Sequence, residues 1–167
     1  MGQLRQLLSS DHADLLEVYR LAVASCPAEL YTSQQRLAWA LQAGDCNAEN
    51  TPSQDLLRCL QRGTGLVSCD ADGHIAGFAV REPRDRLALL YCRPDRQRRG
   101  HGRALIEAIE QQARAEGLRQ LRTEASLVSQ PLLEGLGWQR SWQEELMING
   151  VLFRRFRLYK PLQPILG

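Results

Sequence analysis

The segment Gln97-Arg98-Arg99-Gly100-His101-Gly102-Arg103 packs three arginines and two glycines into seven residues. These are the residue types of an anion site. Glycines remove the side chains that would block an approach to the backbone, and guanidinium groups add positive charge. The flanking residues sharpen the reading. Leu87-Ala88-Leu89-Leu90-Tyr91-Cys92 is a short apolar run, suited to a buried strand. After the glycines, Leu105, Ala108, Ile109 and Ala113 recur at helical spacing, and Gly117 is a natural helix stop. Strand, glycine turn and helix is a phosphate-binding arrangement, because the first N–H groups of a helix lack intrahelical partners and the dipole there favours an anion. A P-loop would close on Gly-Lys-Ser/Thr, whereas Gly102 is followed by Arg103-Ala104. A dinucleotide fingerprint would want a third glycine where Leu105 stands, although Glu124 sits about where that motif wants its acid.

The elements that must position this turn can be read outward from it. Gln3–Leu8, with Gly2, reads as a first edge strand. Ser9-Ser10-Asp11 offers capping oxygens to a helix carrying Leu15, Leu16, Val18, Tyr19, Leu21 and Ala22. Thr32 or Ser33 caps a second helix with Leu37, Ala38 and Leu41 on one face, stopped by Gly44. A third helical segment spans Ser53 to Arg62. The period then shifts to that of strands: Leu66–Cys69, the turn Asp70-Ala71-Asp72-Gly73, and Ile75–Val80. Leu118–Ala125 is a further strand, and Ser126 can cap a short helix ending at Gly137. Trp138–Ile148 and Val151–Tyr159 flank Asn149-Gly150, a strong type I′ hairpin signal, and Pro161 and Pro164 close the chain. A strand-helix-strand unit makes the strands around the central helix parallel neighbours, with the rest of the sheet mostly antiparallel. The expectation is therefore an α/β (α+β) chain with a mixed sheet of about seven strands flanked by helices, built as a single domain over residues 1–167.

Gln97-x-x-Gly100-x-Gly102 resembles the acyl-CoA-binding motif of the GCN5-related N-acetyltransferases (GNAT). The likeness extends to Tyr91-Cys92-Arg93-Pro94-Asp95 before it. It extends also to Ala125-Ser126 followed by Leu132-Leu133-Glu134-Gly135-Leu136-Gly137-Trp138, similar to that family's second signature. The resemblance implies a V-shaped sheet splayed between the two parallel strands, with the pantetheine arm of acetyl-CoA in the split. It implies that Gln97 through Arg103 (Gln97, Arg98, Arg99, Gly100, His101, Gly102 and Arg103) bind the pyrophosphate. It implies further that Leu90, Tyr91 and Cys92 offer backbone groups to the pantetheine, and that Ser126, where the family often has Asn, touches the same arm or caps the next helix. His101 itself is expected to face solvent.

One position departs from the family pattern. Leu133 stands where many members place a tyrosine that protonates the departing thiolate, and Tyr31 or Tyr91 would have to replace it. Attack on a thioester needs a neutral amine, so a base or a water relay must take a proton. Glu124 and Glu82 are the nearest acids by chain position, and Glu124 is the candidate. Tyr31 and Trp39 lie in the segment that forms the acceptor side of this fold, and the Tyr31-x-x-x-Gln35-x-x-x-Trp39 pattern resembles small bacterial acetyltransferases.

Composition bounds the rest. A net charge of +2 with a single lysine, Lys160, gives no case for nucleic acid. The five cysteines, Cys26, Cys46, Cys59, Cys69 and Cys92, are odd in number and scattered, without metal-ligand spacing to the histidines His12, His74 and His101. Reduced thiols, a cytoplasmic protein, no metal and no membrane span are the expectation. The function expected is transfer of an acetyl group from acetyl-CoA to a primary amine of a small molecule or peptide, by direct attack, with a homodimer possible. A non-catalytic acyl-CoA-binding or sensing domain stands as the alternative, motivated by Leu133.

Overall fold

The computed structural model describes residues 3–45 and 50–163. Gly2, Cys46 and Pro164, named above, lie outside them. The elements run β1 (Gln3–Gln6), α1 (His12–Ala24), α2 (Ser33–Ala40), α3 (Gln54–Arg62), β2 (Thr64–Cys69), β3 (Ile75–Arg81), β4 (Arg86–Cys92), α4 (His101–Ala115), β5 (Gln120–Ala125), α5 (Ser129–Gly135), β6 (Gln139–Ile148) and β7 (Val151–Pro161). The seven strands form one sheet in the order β1-β2-β3-β4-β5-β7-β6. Every pairing is antiparallel except β4 with β5.

Local chemistry sets the boundaries. Thr32 caps α2 by accepting from the Gln35 N–H at 3.1 Å, while the Gln35 side chain accepts from Thr32 N at 2.9 Å. Ser53 caps α3 through the Leu56 N–H at 3.2 Å. Asn149 and Gly150 adopt φ of 47° and 79°, the two left-handed conformations that the β6–β7 turn requires.

Two apolar layers hold the sheet. On one face α1, α2 and α3 bury Leu15, Val18, Trp39 and Leu56 against Val67, Phe78 and Phe153. On the other, α4 and α5 bury Leu105, Ile106, Ile109 and Leu133 against Ala79, Leu87, Leu121 and Leu158. Burying one such side chain contributes about 1.5–3 kcal/mol. Leu105, Ile106 and Ile109 thus clamp α4 to the sheet and hold its N-terminus in place. Lys160 on β7 adds an ion pair to the buried Glu110 of α4 at 3.1 Å. The stripe expected on α2 is rotated: Leu37 is 64% exposed, while Trp39 is buried. Facing the indole inward, against Tyr31 and Phe153, removes more apolar surface than facing the leucine inward would.

The feature that shapes the site is a lost pairing. β4 and β5 share only two register positions, Arg86 with Arg122 and Leu87 with Thr123. Against β3, Val80 faces Leu89 and Arg81 faces Leu87, so Ala88 is an extra residue in β4. A bulge bends its strand and increases the local twist. It falls immediately after the last β4–β5 partner, where the two strands part. Thr123 Oγ1 donates to the Leu87 carbonyl at 2.6 Å and pins the vertex.

Candidate active site

The split between β4 and β5 opens into a cleft of ≈ 380 Å³. Its walls include Leu87 through Tyr91 from β4, Thr123 and Glu124 from β5, Ser126 just after it, and Leu133 from α5. Tyr31, Trp39, Arg58, Phe153 and Arg154 close the other side. The backbone of β4 is directed by its pairing with β3. Arg93 N donates to the Ala76 carbonyl at 2.7 Å, and Tyr91 is the register partner of Phe78. By strand alternation Tyr91 then turns its N–H and C=O toward β3, whereas Leu90 and Cys92 turn theirs toward the split. Of the three residues expected to offer backbone groups, the geometry brings two to the cleft edge. Their neighbour on that side would have been β5, which has already diverged, so these groups are open to an extended ligand arm.

At the far end of β4 lies the glycine turn. Arg98 and Gly100 have φ of 63° and 85°. From Arg98 through Arg103 no backbone N–H has a hydrogen-bond acceptor among the described residues, and the first helical bond runs from Ala104 N to the Gly100 carbonyl at 3.0 Å. Successive free N–H groups beside left-handed residues form a concavity for an anion, and the dipole of the 15-residue α4 adds to it. A Cβ on Gly100 would meet no protein atom within 4 Å, so the glycine faces open space. A Cβ on Gly102 would lie 3.3 Å from Leu132, which keeps α5 close. These observations fit a pyrophosphate held by backbone groups. Arg103 is salted to Glu107 at 2.9 Å, while Arg98 and Arg99 have no ion pair among the described residues.

His101 does not face solvent, contrary to expectation. It is buried, and its Nδ1 lies 2.7 Å from the Ser68 hydroxyl of β2. Burial lowers its readiness to protonate. The turn is tied to the sheet a second time by Arg96, whose Nε is 3.2 Å from Asp70 in the β2–β3 turn. Asp70 also accepts from Asp72 N and His74 N. Neither tie was readable from spacing, because Ser68 and His101 are 33 residues apart and come together only when α4 lies on the sheet.

At the vertex, Glu124 receives Arg86 Nε on Oε2 at 2.9 Å. Its Oε1 lies 4.0 Å from Arg157 and has no hydrogen bond among the described residues. Glu82, the other acid considered, is not in the cleft wall and stands 3.8 Å from Arg58. Ser126 does what a capping residue does: its hydroxyl accepts from Ser129 N at 3.0 Å, and Ser129 Oγ accepts from Ser126 N at 3.1 Å. Leu133 is buried at the position where a tyrosine would have stood. The hydroxyl of Tyr31 reaches the same junction, accepting from Leu127 N at 2.9 Å. Burial raises the Tyr31 phenol above its ordinary range, so it stays protonated at neutral pH. Tyr91, also in the cleft wall, packs its ring 4.4 Å from that of Tyr19, and burial pushes its phenol up to about 12. Burial also pushes the thiols of Cys26 and Cys92 up to about 11 and raises that of Cys59.

No helix among the described residues is long and apolar enough to cross a membrane. A family model described as an acetyltransferase (GNAT) domain matches residues 43–160. No curated protein sequence matches significantly. Solved structures are similar over nearly the whole chain. A GCN5-related N-acetyltransferase (aminotransferase, class-II) from Rhodopseudomonas palustris is 26% identical with a TM-score of 0.86, covering 97% of this chain and 96% of its own. The putative acetyltransferase yncA from Salmonella typhimurium, solved with acetyl-CoA, is 21% identical with a TM-score of 0.64, covering 100% and 97%. The ribosomal-protein-S18-alanine N-acetyltransferase from Escherichia coli is 17% identical with a TM-score of 0.68, covering 100% and 97%. With its split sheet, its glycine turn at the start of α4 and a matching family model over most of its length, the chain belongs to the GNAT acetyltransferase family and is an acyltransferase.

Proposed function

We propose that the protein transfers an acetyl group from acetyl-CoA to a primary amine by direct attack. The observation that carries this reading is the pairing of two features on one strand: the free backbone edge of β4 in the split, and the row of unpartnered N–H groups from Arg98 to Arg103 beyond its end. The row suits the pyrophosphate and the edge suits the amide-rich pantetheine, which adds to a strand as a peptide does. Acetyl-CoA supplies an activated acyl group whose thiol leaves with a pKa of about 8.5.

The residues divide the remaining work. The N–H of Leu90, the edge group farther from the glycine turn, is the donor for the oxyanion that develops at the thioester carbonyl, and Cys92 holds the pantetheine nearer the turn. Glu124 accepts the amine proton at Oε1, the carboxylate oxygen left free by Arg86, directly or through water. Tyr31 supplies a proton to the departing sulfur from the side where Leu133 cannot. Direct attack is favoured over an acetyl-cysteine intermediate because burial keeps the thiols of Cys59 and Cys92 protonated, and the thiolate is the nucleophile.

The test is calorimetry with acetyl-CoA, with CoA and a dinucleotide as controls, followed by thiol release on an amine panel. Acetyl-CoA binding together with enzyme-dependent N-acetylation is the expected result. Binding without turnover of any amine would favour a sensing domain instead, and absence of binding would remove the reading altogether.

A further inference from the structure

One face of the β5–β7–β6 half of the sheet carries a row of alternating charges. Successive side chains of a strand point to opposite faces, so the cross-strand partners Arg157 and Glu124 share a face, as do Arg155 and Glu144. Arg155 and Arg157 are two residues apart on β7, which puts all four on the same face. The row runs Arg155, Glu144, Arg157, Glu124, Arg86 and ends at the vertex of the cleft. Glu144 accepts from Arg155 Nε at 2.5 Å and from Arg157 Nε at 2.9 Å, each on its own oxygen. Glu124 accepts from Arg86 Nε at 2.9 Å. The open link is the one between them: Arg157 Nη1 stands 4.0 Å from Glu124 Oε1. The other charges around the cleft are paired among themselves, Arg58 with Asp55 at 2.9 Å and with Glu82 at 3.8 Å, and Arg122 with Asp85 at 3.1 Å. Burial raises the Cys59 thiol and the phenols of Tyr19, Tyr31 and Tyr91, so these stay neutral.

Arg157 therefore stands between two carboxylates and is hydrogen-bonded to one. Glu144 is what keeps it off the other, helped by the Trp142 ring, whose centroid lies 5.6 Å from the guanidinium. Burial opposes the charge on Glu144, yet the hydrogen bonds from Arg157 and Arg155 hold its carboxyl below the ordinary carboxylate range, so it is ionised near neutral pH. Without that charge, Glu124 is the only carboxylate among the described residues within 4.0 Å of Arg157. A guanidinium and a carboxylate prefer a fork of two parallel bonds. Closing that fork would occupy Oε1, the oxygen to which the amine proton passes. A cation brought onto a carboxylate also favours its charged form and makes it a poorer proton acceptor. Resting on the acetyl-transfer reading with Glu124 as base, we infer that Glu144 is a positioning residue, tethering Arg157 so that Glu124 keeps one oxygen free for the acceptor's proton.

The test is the pH dependence of kcat, followed by thiol release from acetyl-CoA between about pH 5 and pH 9, with glycinamide, tyramine and agmatine as probe amines. Each amine's own ionisation is common to all variants, so a difference between variants belongs to the protein. In Glu144→Gln, Arg157 closes on Glu124. The acid limb of the profile should move to lower pH by at least about half a unit, and the plateau kcat should fall at least about twofold. Arg157→Gln should move the limb the other way, because Glu124 loses a nearby cation. The double variant Glu144→Gln/Arg157→Gln should bring the limb back to the wild-type position or beyond it, whereas the losses of a merely structural pair would add. A limb unmoved in Glu144→Gln would overturn the inference, as would a double variant no better than Glu144→Gln. Should Glu144→Gln not fold, Arg157→Gln decides alone, and a limb that fails to move toward alkali overturns the inference. Wild-type kcat in Glu124→Gln would remove the base and this inference with it, leaving acetyl transfer itself standing. Turnover of none of the three amines, or failure to bind acetyl-CoA, would bring down the transfer reading and the inference together.

Discussion

Gly100→Ala separates the anion-binding role of the turn from its role in folding. Gly100 has φ of 85°, and an added Cβ meets no protein atom within 4 Å. The substitution therefore introduces backbone strain without a clash. A left-handed conformation costs a non-glycine residue about 1–2 kcal/mol. In a chain of this size that lowers the melting temperature by roughly 2–8 °C. Gly150 offers a matched control: its φ is 79°, its Cβ also meets nothing within 4 Å, and it lies in the β6–β7 turn. Gly150→Ala should cost the same stability. The two variants should part in binding. At position 100 the new methyl stands in the space where the pyrophosphate meets the N–H row, and each charge-assisted hydrogen bond lost is worth about 1.5–3 kcal/mol. The dissociation constant for acetyl-CoA, read by calorimetry on folded protein, should rise at least about tenfold in Gly100→Ala and stay near wild type in Gly150→Ala. Gly100→Glu adds bulk and like charge and should abolish binding. Equal affinities in the two alanine variants would refute the assignment of this turn to the anion.

Ser68→Ala removes the partner of the buried His101 Nδ1 and should cost about 1–3 kcal/mol in chemical denaturation, with weaker acetyl-CoA binding because α4 loses a tie to β2; unchanged stability would refute the tie. Stability should also fall in acid. Hydrogen bonding to Arg5 holds Asp11, and to Arg81 holds Glu116, below their ordinary carboxylate values. A depressed folded-state value means that the contribution is present at neutral pH and is lost as pH drops through about 4 and below. Glu116→Gln should flatten that acid limb in urea melts taken between about pH 6 and pH 3, and an unaltered slope would count against the pair.

The fold was legible because its elements announce themselves locally. The Asn149-Gly150 hairpin, the Thr32 and Ser53 caps and the 3.6 period of α4 each depend on residues a few positions apart. The glycine turn at the start of α4 was legible for the same reason, since Gln97 to Arg103 is one contiguous stretch. What escaped is nonlocal. That His101 turns inward depends on Ser68 in another strand. Tyr31 reaches the β5–α5 junction across 96 residues, and Arg86 meets Glu124 across 38. The rotation of α2 that buries Trp39 rather than Leu37 likewise follows from the aromatic group it packs against, and not from its own periodicity.

This division between local and nonlocal also bears on how the family diverges. In the function proposed above, the cofactor half works through backbone: the N–H row of the turn and the free edge of β4. Backbone groups are present whatever the side chains, so such a site constrains φ, glycine positions and the bulge at Ala88 while leaving most residues free to change. A TM-score of 0.86 at 26% identity is what that constraint allows. The other wall of the cleft is built of side chains drawn from α2, α3, β5 and β7, and on the proposed reading a single substitution there alters acceptor recognition. Leu133 illustrates the asymmetry. Its loss of a phenol is tolerable in the backbone half, because the thiol is already a competent leaving group, and a second phenol, Tyr31, enters the same junction from α2's side of the cleft. On that reading, substitutions in this wall should change which acceptor is used well before they disturb how acetyl-CoA is held.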